Sequence, residues 1–222
     1  MFKQIFELFK SDSLYEQALD ECYEMLELVR EMFNESVKTL RESDTADISV
    51  DIYNTDKKIN AFERDVRRKI MTHLVVSGNE DLGSGLILVS VVVDIERIGD
   101  YTKNIYDVAV QHPKKLHAGN YEQQLSSIEQ ATIKYLNDSI DIFKSQDVDK
   151  ARLLMKDYKK DISSEASEIV NEIISNKNNE YSPDVAAALC LYVRYLKRIA
   201  AHSRNLISSI VNPFERIGYP EK

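Results

Sequence analysis

Apolar residues in this chain recur at intervals of three and four over stretches of 25 residues and more. Leu14, Ala18, Cys22, Met25, Val29, Met32 with Phe33, and Val37 form one such stripe within Leu14–Leu40. That spacing puts side chains on one face of an α-helix. A second stripe runs Ile48, Ile52, Thr55, Ile59, Phe62, Val66, Ile70, Leu74. A third apolar stretch extends from Leu86 to about Val110. Val91–Val93 locally resembles a strand there, but the length and the charged run that follows predict a buried helix. Three more helices are predicted: about Tyr121–Lys144, Val148–Ser175 and Asp184–Val211. Gly78–Gly85 and Asn176–Pro183 read as turns, and His112–Gly119 as a linker. Six Gly and four Pro in 222 residues are too few for the many turns of a β-rich fold. Six helices of about 25–30 residues, each about 40 Å long, joined by short turns, pack antiparallel as bundles.

Residues 101 apart show how those helices divide. Arg97, Ile98 and Asn104 recur as Arg198, Ile199 and Asn205, and Thr102, Lys103 and Ile105 recur conservatively as Ser203, Arg204 and Leu206. At the same offset Asp56 stands opposite Asp157, and Asn60 opposite Asp161. A shared helix period produces chance apolar matches, but not matched polar positions. The expected fold is therefore all-α: two tandem three-helix bundles, residues 1–113 and 114–222, related by an internal repeat of about 101.

The formal charge of −8 argues against a general nucleic-acid binder. An apolar content of 43% is enough to build a core. The longest uncharged run, Leu82–Val93, is far short of the roughly 20 residues of a membrane span. MFKQIFELFK at Met1–Lys10 lacks the uninterrupted apolar run and cleavage site of a signal peptide. Its Phe2, Ile5, Phe6, Leu8 and Phe9 suit packing on the bundle or contact with a partner. Cys22 and Cys190 sit in apolar helical patterns without metal or redox spacing, as core thiols in a reducing cytoplasm would.

Candidate chemistry concentrates in acidic positions. Glu96 and Asp100 are i,i+4 neighbours on one helix face, and Asn104 extends that stripe. Asp56, Asn60 and Glu63 form a similar stripe on the preceding helix. Brought together, such oxygen donors suit a divalent or trivalent cation. The alternative is a solvated acidic face paired with Arg97, Lys57 and Lys58. In the second half Asp157 and Asp161 remain, but Lys197 and Ala201 replace Glu96 and Asp100. The expectation there is an ion pair of Lys197 with the two aspartates in place of a metal. His73, His112, His117 and His202 form no ligand set, and Glu-x-x-His, phosphate-loop and nucleophile motifs are absent. Catalysis is not expected.

The string Glu96-Arg97-Ile98-Gly99-Asp100-Tyr101-Thr102-Lys103-Asn104-Ile105 resembles the signature helix of the PhoU family, and its echo at Lys197–Leu206 strengthens the likeness. The pairs Asp56/Asn60 and Asp157/Asp161 resemble the family's partner motif on the middle helix. The resemblance covers nearly the whole chain. It implies a cytoplasmic accessory regulator of phosphate uptake and phosphate-starvation signalling. Its partners would be a phosphate transporter's ATPase subunit or a permease, and a sensor histidine kinase, with a homodimer and peripheral membrane contact also open. It further implies that Asp56, Glu96 and Asp100 ligate metal (iron, zinc, manganese or magnesium). Asn60 departs from the usual acid, and Lys197 and Ala201 put a second site in question. Leu82–Leu86 also departs from the family pattern, as in a divergent relative such as a permease accessory subunit. A metal-free helical scaffold is the competing class.

Overall fold

The structure, a computed structural model, describes residues 13–77, 81–112, 114–175 and 181–221, the side chains of 77 and 157–161 excepted. The expectations for Met1–Lys10 fall outside the described residues. Within them the elements are helical: α1 (Leu14–Glu42), α2 (Ile52–Ser77), α3 (Leu82–Gln111), α4 (Glu122–Ser145), α5 (Val148–Tyr158), α6 (Glu165–Ile174) and α7 (Pro183–Val211). The fifth helix expected from the sequence is thus a rod in two parts, α5 and α6, joined by a π-helical turn at Lys159–Ser164. Short 3-10 turns at Gly119–Tyr121 and Phe214–Arg216 complete the order.

Local chemistry sets several boundaries. Ser13 and Glu16 form a reciprocal capping box that starts α1: the Glu16 N–H donates to Ser13 Oγ at 3.1 Å, and the Ser13 N–H to Glu16 Oε2 at 2.9 Å. Ser182 followed by Pro183 starts α7, the proline sitting where its missing N–H costs nothing. Gly83 and Gly85 lie within the first turn of α3, not in a turn between helices. A Cβ on Gly85 would stand 3.1 Å from Leu74 Cδ1 and 3.2 Å from Ile70 Cγ2, so this glycine permits the close approach of α2 and α3.

The helices α1, α2 and α3 pack on one another, as α4, the α5–α6 rod and α7 do; α3 against α7 joins the two bundles. Helices α1 and α4 also meet, with Arg30 NH2 2.7 Å from Asp141 Oδ1. Burial makes the duplication visible. All eleven buried residues of α1 have a buried counterpart 103 positions on, among them Ala18/Tyr121, Cys22/Leu125, Val29/Thr132 and Leu40/Phe143. Between α3 and α7 the spacing is 101: Leu88/Leu189, Ile95/Leu196, Ile98/Ile199 and Thr102/Ser203. On the middle helices burial fits no single spacing: Ile52 stands 99 residues before Ala151 and Ile70 99 before Ile169, while Val66 stands 100 before Ala166. The sequence pairings of Asp56 with Asp157, and of Asn60 with Asp161, fall on positions whose second side chains lie outside the described residues.

Candidate functional site

The α2–α3 seam brings two of the predicted acidic residues, Asp56 and Asp100, to one cation. Asp56, only 8% exposed, sits in the second turn of α2. Its Oδ2 lies 2.9 Å from Lys103 Nζ on α3, and it accepts a 3.3 Å bond from Asn60 Nδ2. The same ammonium stands 3.1 Å from Asp100 Oδ1. Asp100 Oδ2 is 3.3 Å from Arg97, whose Nε is 3.4 Å from Glu96 Oε2. Glu63 reaches Arg67, one turn further along α2, at 3.0 Å. Lys58 turns instead to Glu24 on α1, and Lys57 donates to Asn54. Burial opposes the charge on Lys103, but its bonds to Asp56 and Asp100 outweigh that and hold its pKa above the ordinary value. Glu96 is different: burial and the neighbouring Asp100 carboxylate push it up to about 7, with Glu63 adding to the repulsion and Arg97 opposing it.

These residues suit an ion-paired clamp. Lys103 holds Asp56 and Asp100 together across two helices, and a proton on Glu96 relieves the remaining repulsion. They do not fit a metal ion as placed, because Lys103 occupies the space between the two aspartates. Among the described residues no group of three or more His, Cys, Asp or Glu side chains converges as a ligand set. Lys103 is the residue that sequence reasoning passed over, although its position three after Asp100 was a signal for pairing on one face. Gly99 packs against Ile59 and Val29. Asn104 leaves the cluster and lines a groove of about 400 Å³ between α3 and α7, together with Asp107, His112, Leu191 and Tyr195.

In the second bundle the side chains of Asp157 and Asp161 lie outside the described residues. The described partner of Lys197 is the Ser167 hydroxyl, at 2.6 Å, and burial with Arg194 and Arg198 nearby lowers the lysine's pKa. Cys22 is buried and Cys190 half-buried; burial raises both thiols.

Two polar networks that were not anticipated tie the bundles together. On the α3–α7 face, buried Asp94 accepts from His202 Nδ1 at 2.7 Å and from Asn205 Nδ2 at 2.8 Å. Arg198 NH2 is 3.1 Å from His202 Nε2, and Tyr101 stacks on His202 with ring centroids 5.7 Å apart. On the α1–α4–α7 face, Arg41 pairs with Glu122 and, at 2.6 Å, with Glu129. Glu129 also accepts a 2.7 Å bond from the fully buried Tyr192 hydroxyl. Burial raises the Glu129 pKa, against the bonds from Tyr192 and Arg41. Partners 63 and 108 residues apart leave no local pattern in a sequence.

Comparison with known proteins matches residues 22–109 and 125–210 to the PhoU domain family, once for each bundle. The chain is 25% identical over 192 residues to "Phosphate-specific transport system accessory protein PhoU homolog 1" of Thermotoga maritima, covering 84% of this chain and 81% of that protein. It is 24% identical over 189 residues to "Phosphate-specific transport system accessory protein PhoU" of Escherichia coli, covering 82% and 76%. The crystal structure of PhoU from Pseudomonas aeruginosa superposes with a TM-score of 0.77 at 21% identity, covering 89% of this chain and 95% of that one. The regulatory protein PhoU from Streptococcus pneumoniae gives 0.76 at 20% identity, covering 89% and 93%.

Proposed function

The chain belongs to the PhoU family, and from that premise we propose that it is an accessory protein of a phosphate transport system, working in the cytoplasm. The observation that carries this reading is the duplicated family match, which spans both bundles. Its activity is contact with other proteins: a transporter's ATPase subunit or an inorganic phosphate permease, and a sensor histidine kinase of phosphate-starvation signalling. The geometry supports an adaptor. The two bundles are joined by buried polar networks, and the helices α2, α5 and α6 remain on the outside of the α3–α7 seam. The acidic cluster enters as the clamp that holds α2 on α3, with Lys103 as its counter-charge. A metal forms no step of this proposal. Among the described residues no helix is long and apolar enough to cross a membrane.

Affinity capture of the tagged chain from phosphate-replete cells of its own host, with mass spectrometry, tests the reading. A phosphate-transport ATPase, a phosphate permease or a sensor kinase should be recovered, and direct binding should follow with purified components. Capture of none of these three classes would overturn it. Glu96→Ala/Asp100→Ala run in parallel separates the roles of the cluster. Lost capture with the fold intact makes the cluster part of the docking surface, and unchanged capture leaves it as a clamp within the chain.

A further inference from the structure

Helices α3 and α7 run antiparallel, with Asp94 meeting His202 and the ring of Tyr101 5.9 Å from that of Tyr195. Their seam therefore has two ends of equivalent make-up: the end of α3 beside the start of α7, and the end of α7 beside the start of α3. Positions 101 apart correspond between them, as Ile105 and Leu206, both fully buried, show. One end is covered by the chain itself. After Asn212 the backbone turns back, and its 3-10 turn Phe214–Arg216 packs on both helices. The Gly218 N–H donates to Ser208 Oγ at 2.7 Å, and Asn212 Nδ2 donates to the carbonyls of Tyr219 at 2.7 Å and Arg216 at 3.2 Å. Gly218 has φ +84°, and a Cβ there would stand 2.7 Å from Asn205 Oδ1, so the segment lies close on α7. Ser208, Ser209 and Asn212 are buried beneath it.

The other end is open. Asn104, Asp107, Val108 and Gln111 stand where the covered end has Asn205, Ser208, Ser209 and Asn212, and they line the groove of about 400 Å³. The chain leaving α3 is drawn instead towards α1, where the Leu116 N–H bonds the Leu40 carbonyl. Gln111 is exposed, and Leu191, which forms the opposite wall with Ala188 and Tyr195, is 45% exposed. Charge distinguishes the two ends. The open one carries Asp107 and Asp184 where the covered one has Ser208 and Gly83, and among the described residues no Lys or Arg lines it. The Tyr53 hydroxyl donates to Asp107 at 2.7 Å, a neutral partner that leaves the carboxylate its charge. The Ser182 hydroxyl and backbone N–H groups hold the Asp184 carboxyl below its ordinary range, so it too is charged at neutral pH. His112 is the other ionisable group there besides Tyr195.

We propose that this groove seats a short segment of a partner protein, an apolar side chain flanked by Lys or Arg, in the way that residues 213–219 seat on the duplicate end. The proposal rests on the adaptor reading and gives it a place on the chain. Asn104 and Gln111 offer amides to the incoming backbone, as Asn212 does at the covered end. Ala188, Leu191 and Tyr195 take the apolar side chain, and Asp107 and Asp184 take the cations.

The probe is a fluorescein-labelled heptapeptide with the sequence of residues 213–219 bearing Glu215→Lys, titrated with the purified full chain and read by anisotropy. Saturable binding is expected. Asp107→Asn/Asp184→Asn should weaken it about tenfold, as the loss of two exposed ion pairs would, and Leu191→Gln should weaken it severalfold. Asp138→Asn/Asp149→Asn removes the same charge from α4 and α5 and should leave affinity unchanged. Circular dichroism checks the fold of each variant. The proposal is overturned by the absence of saturable binding, or by equal weakening in the two double variants. Equal affinity for a peptide with Ala in place of its Phe and Ile makes the ligand a bare cation and overturns it too. Tighter binding of the unaltered 213–219 peptide assigns the groove to the tail of a second copy, with the same consequence. None of these outcomes touches the adaptor reading, which fails only if capture recovers no transporter or kinase.

Discussion

Lys103→Met removes the cation from the α2–α3 clamp while keeping most of the side chain's volume. The ammonium has two carboxylate partners, Asp56 at 2.9 Å and Asp100 at 3.1 Å, and side-chain exposures are 23%, 12% and 29% for Lys103, Asp56 and Asp100. Removing one partner of a fully buried pair costs about 3–5 kcal/mol, because the other charge is left uncompensated. Here Asp100 retains Arg97 and a quarter of its surface in water, so the loss falls chiefly on Asp56, left with one 3.3 Å bond from Asn60. A charged hydrogen bond is worth about 1.5–3 kcal/mol, and partial solvation places the expected loss near ~2 kcal/mol. In a chain of this size that lowers Tm by about 4–8 °C. Thermal and urea unfolding of Lys103→Met and of Lys103→Met/Asp56→Asn measure it. The double variant should recover more than half of the loss, since the orphaned charge is gone. Divalent manganese or magnesium should stabilise Lys103→Met more than the parent chain, because the two aspartates then face each other without an internal cation. A loss below about 0.5 kcal/mol, or strictly additive substitutions, would refute the clamp. Equal stabilisation of parent and variant by metal would refute the assignment of the counter-charge to Lys103.

Three further outcomes follow from the same geometry. Glu96 is held near pKa 7 instead of 4.5, so its proton favours the folded state below pH 4.5 and that benefit is lost as pH rises through 7. Glu96→Gln should therefore flatten the stability profile between pH 5 and 8 and stabilise the chain at pH 8, by about 1–2 kcal/mol after solvent screening; an unchanged slope in urea titrations would contradict it. Tyr192→Phe deletes the hydroxyl that donates to buried Glu129 and should cost about 1–2 kcal/mol, while Tyr53→Phe, an exposed tyrosine bonded to Asp107, should cost under about 1 kcal/mol; chemical unfolding that ranks them in the reverse order would refute the network's role. His202→Ala should speed hydrogen exchange in the facing turns of α3 and α7, because Asp94 loses one of its two described donors; exchange confined to the α7 backbone near residue 202 would show that the contact does not couple the bundles.

What was legible in the sequence follows the range of the interaction concerned. The stripes of α1 and α7 could be read because each helix turns one continuous face to the core, from Ala18 to Leu40 and from Ala188 to Ile207. The start of α3 was hidden because three glycines in eight residues resemble a turn, yet Gly85 is there for the approach of Leu74 and Ile70. The offset of 101 holds where both copies build the same central helix. On the middle helix its polar matches, Asp56 with Asp157 and Asn60 with Asp161, reach residues whose side chains lie outside the described ones. The stripe rule placed Asp56 and Glu63 on one helix and Glu96 and Asp100 on the next but carried no information on which cations would neutralise them. Asp94 and His202 meet only because two bundles pack, and no local spacing encodes that.

The π turn at Lys159–Ser164 has a bearing on how a duplicated chain tolerates unequal lengths. Surplus residues usually settle in loops, and this chain does that once: nine residues separate α1 from α2, while two separate α4 from α5. One further residue is lodged inside the α5–α6 rod. An uninterrupted α-helix would have turned everything after it by about 100°, carrying Ala166 and Ile169 out of the core that they now fill. The wider turn behaves as an expansion joint, absorbing the insertion where it occurred and returning the downstream apolar face to its original bearing. A relative whose rod is wholly α-helical should accordingly be one residue shorter between positions 158 and 165.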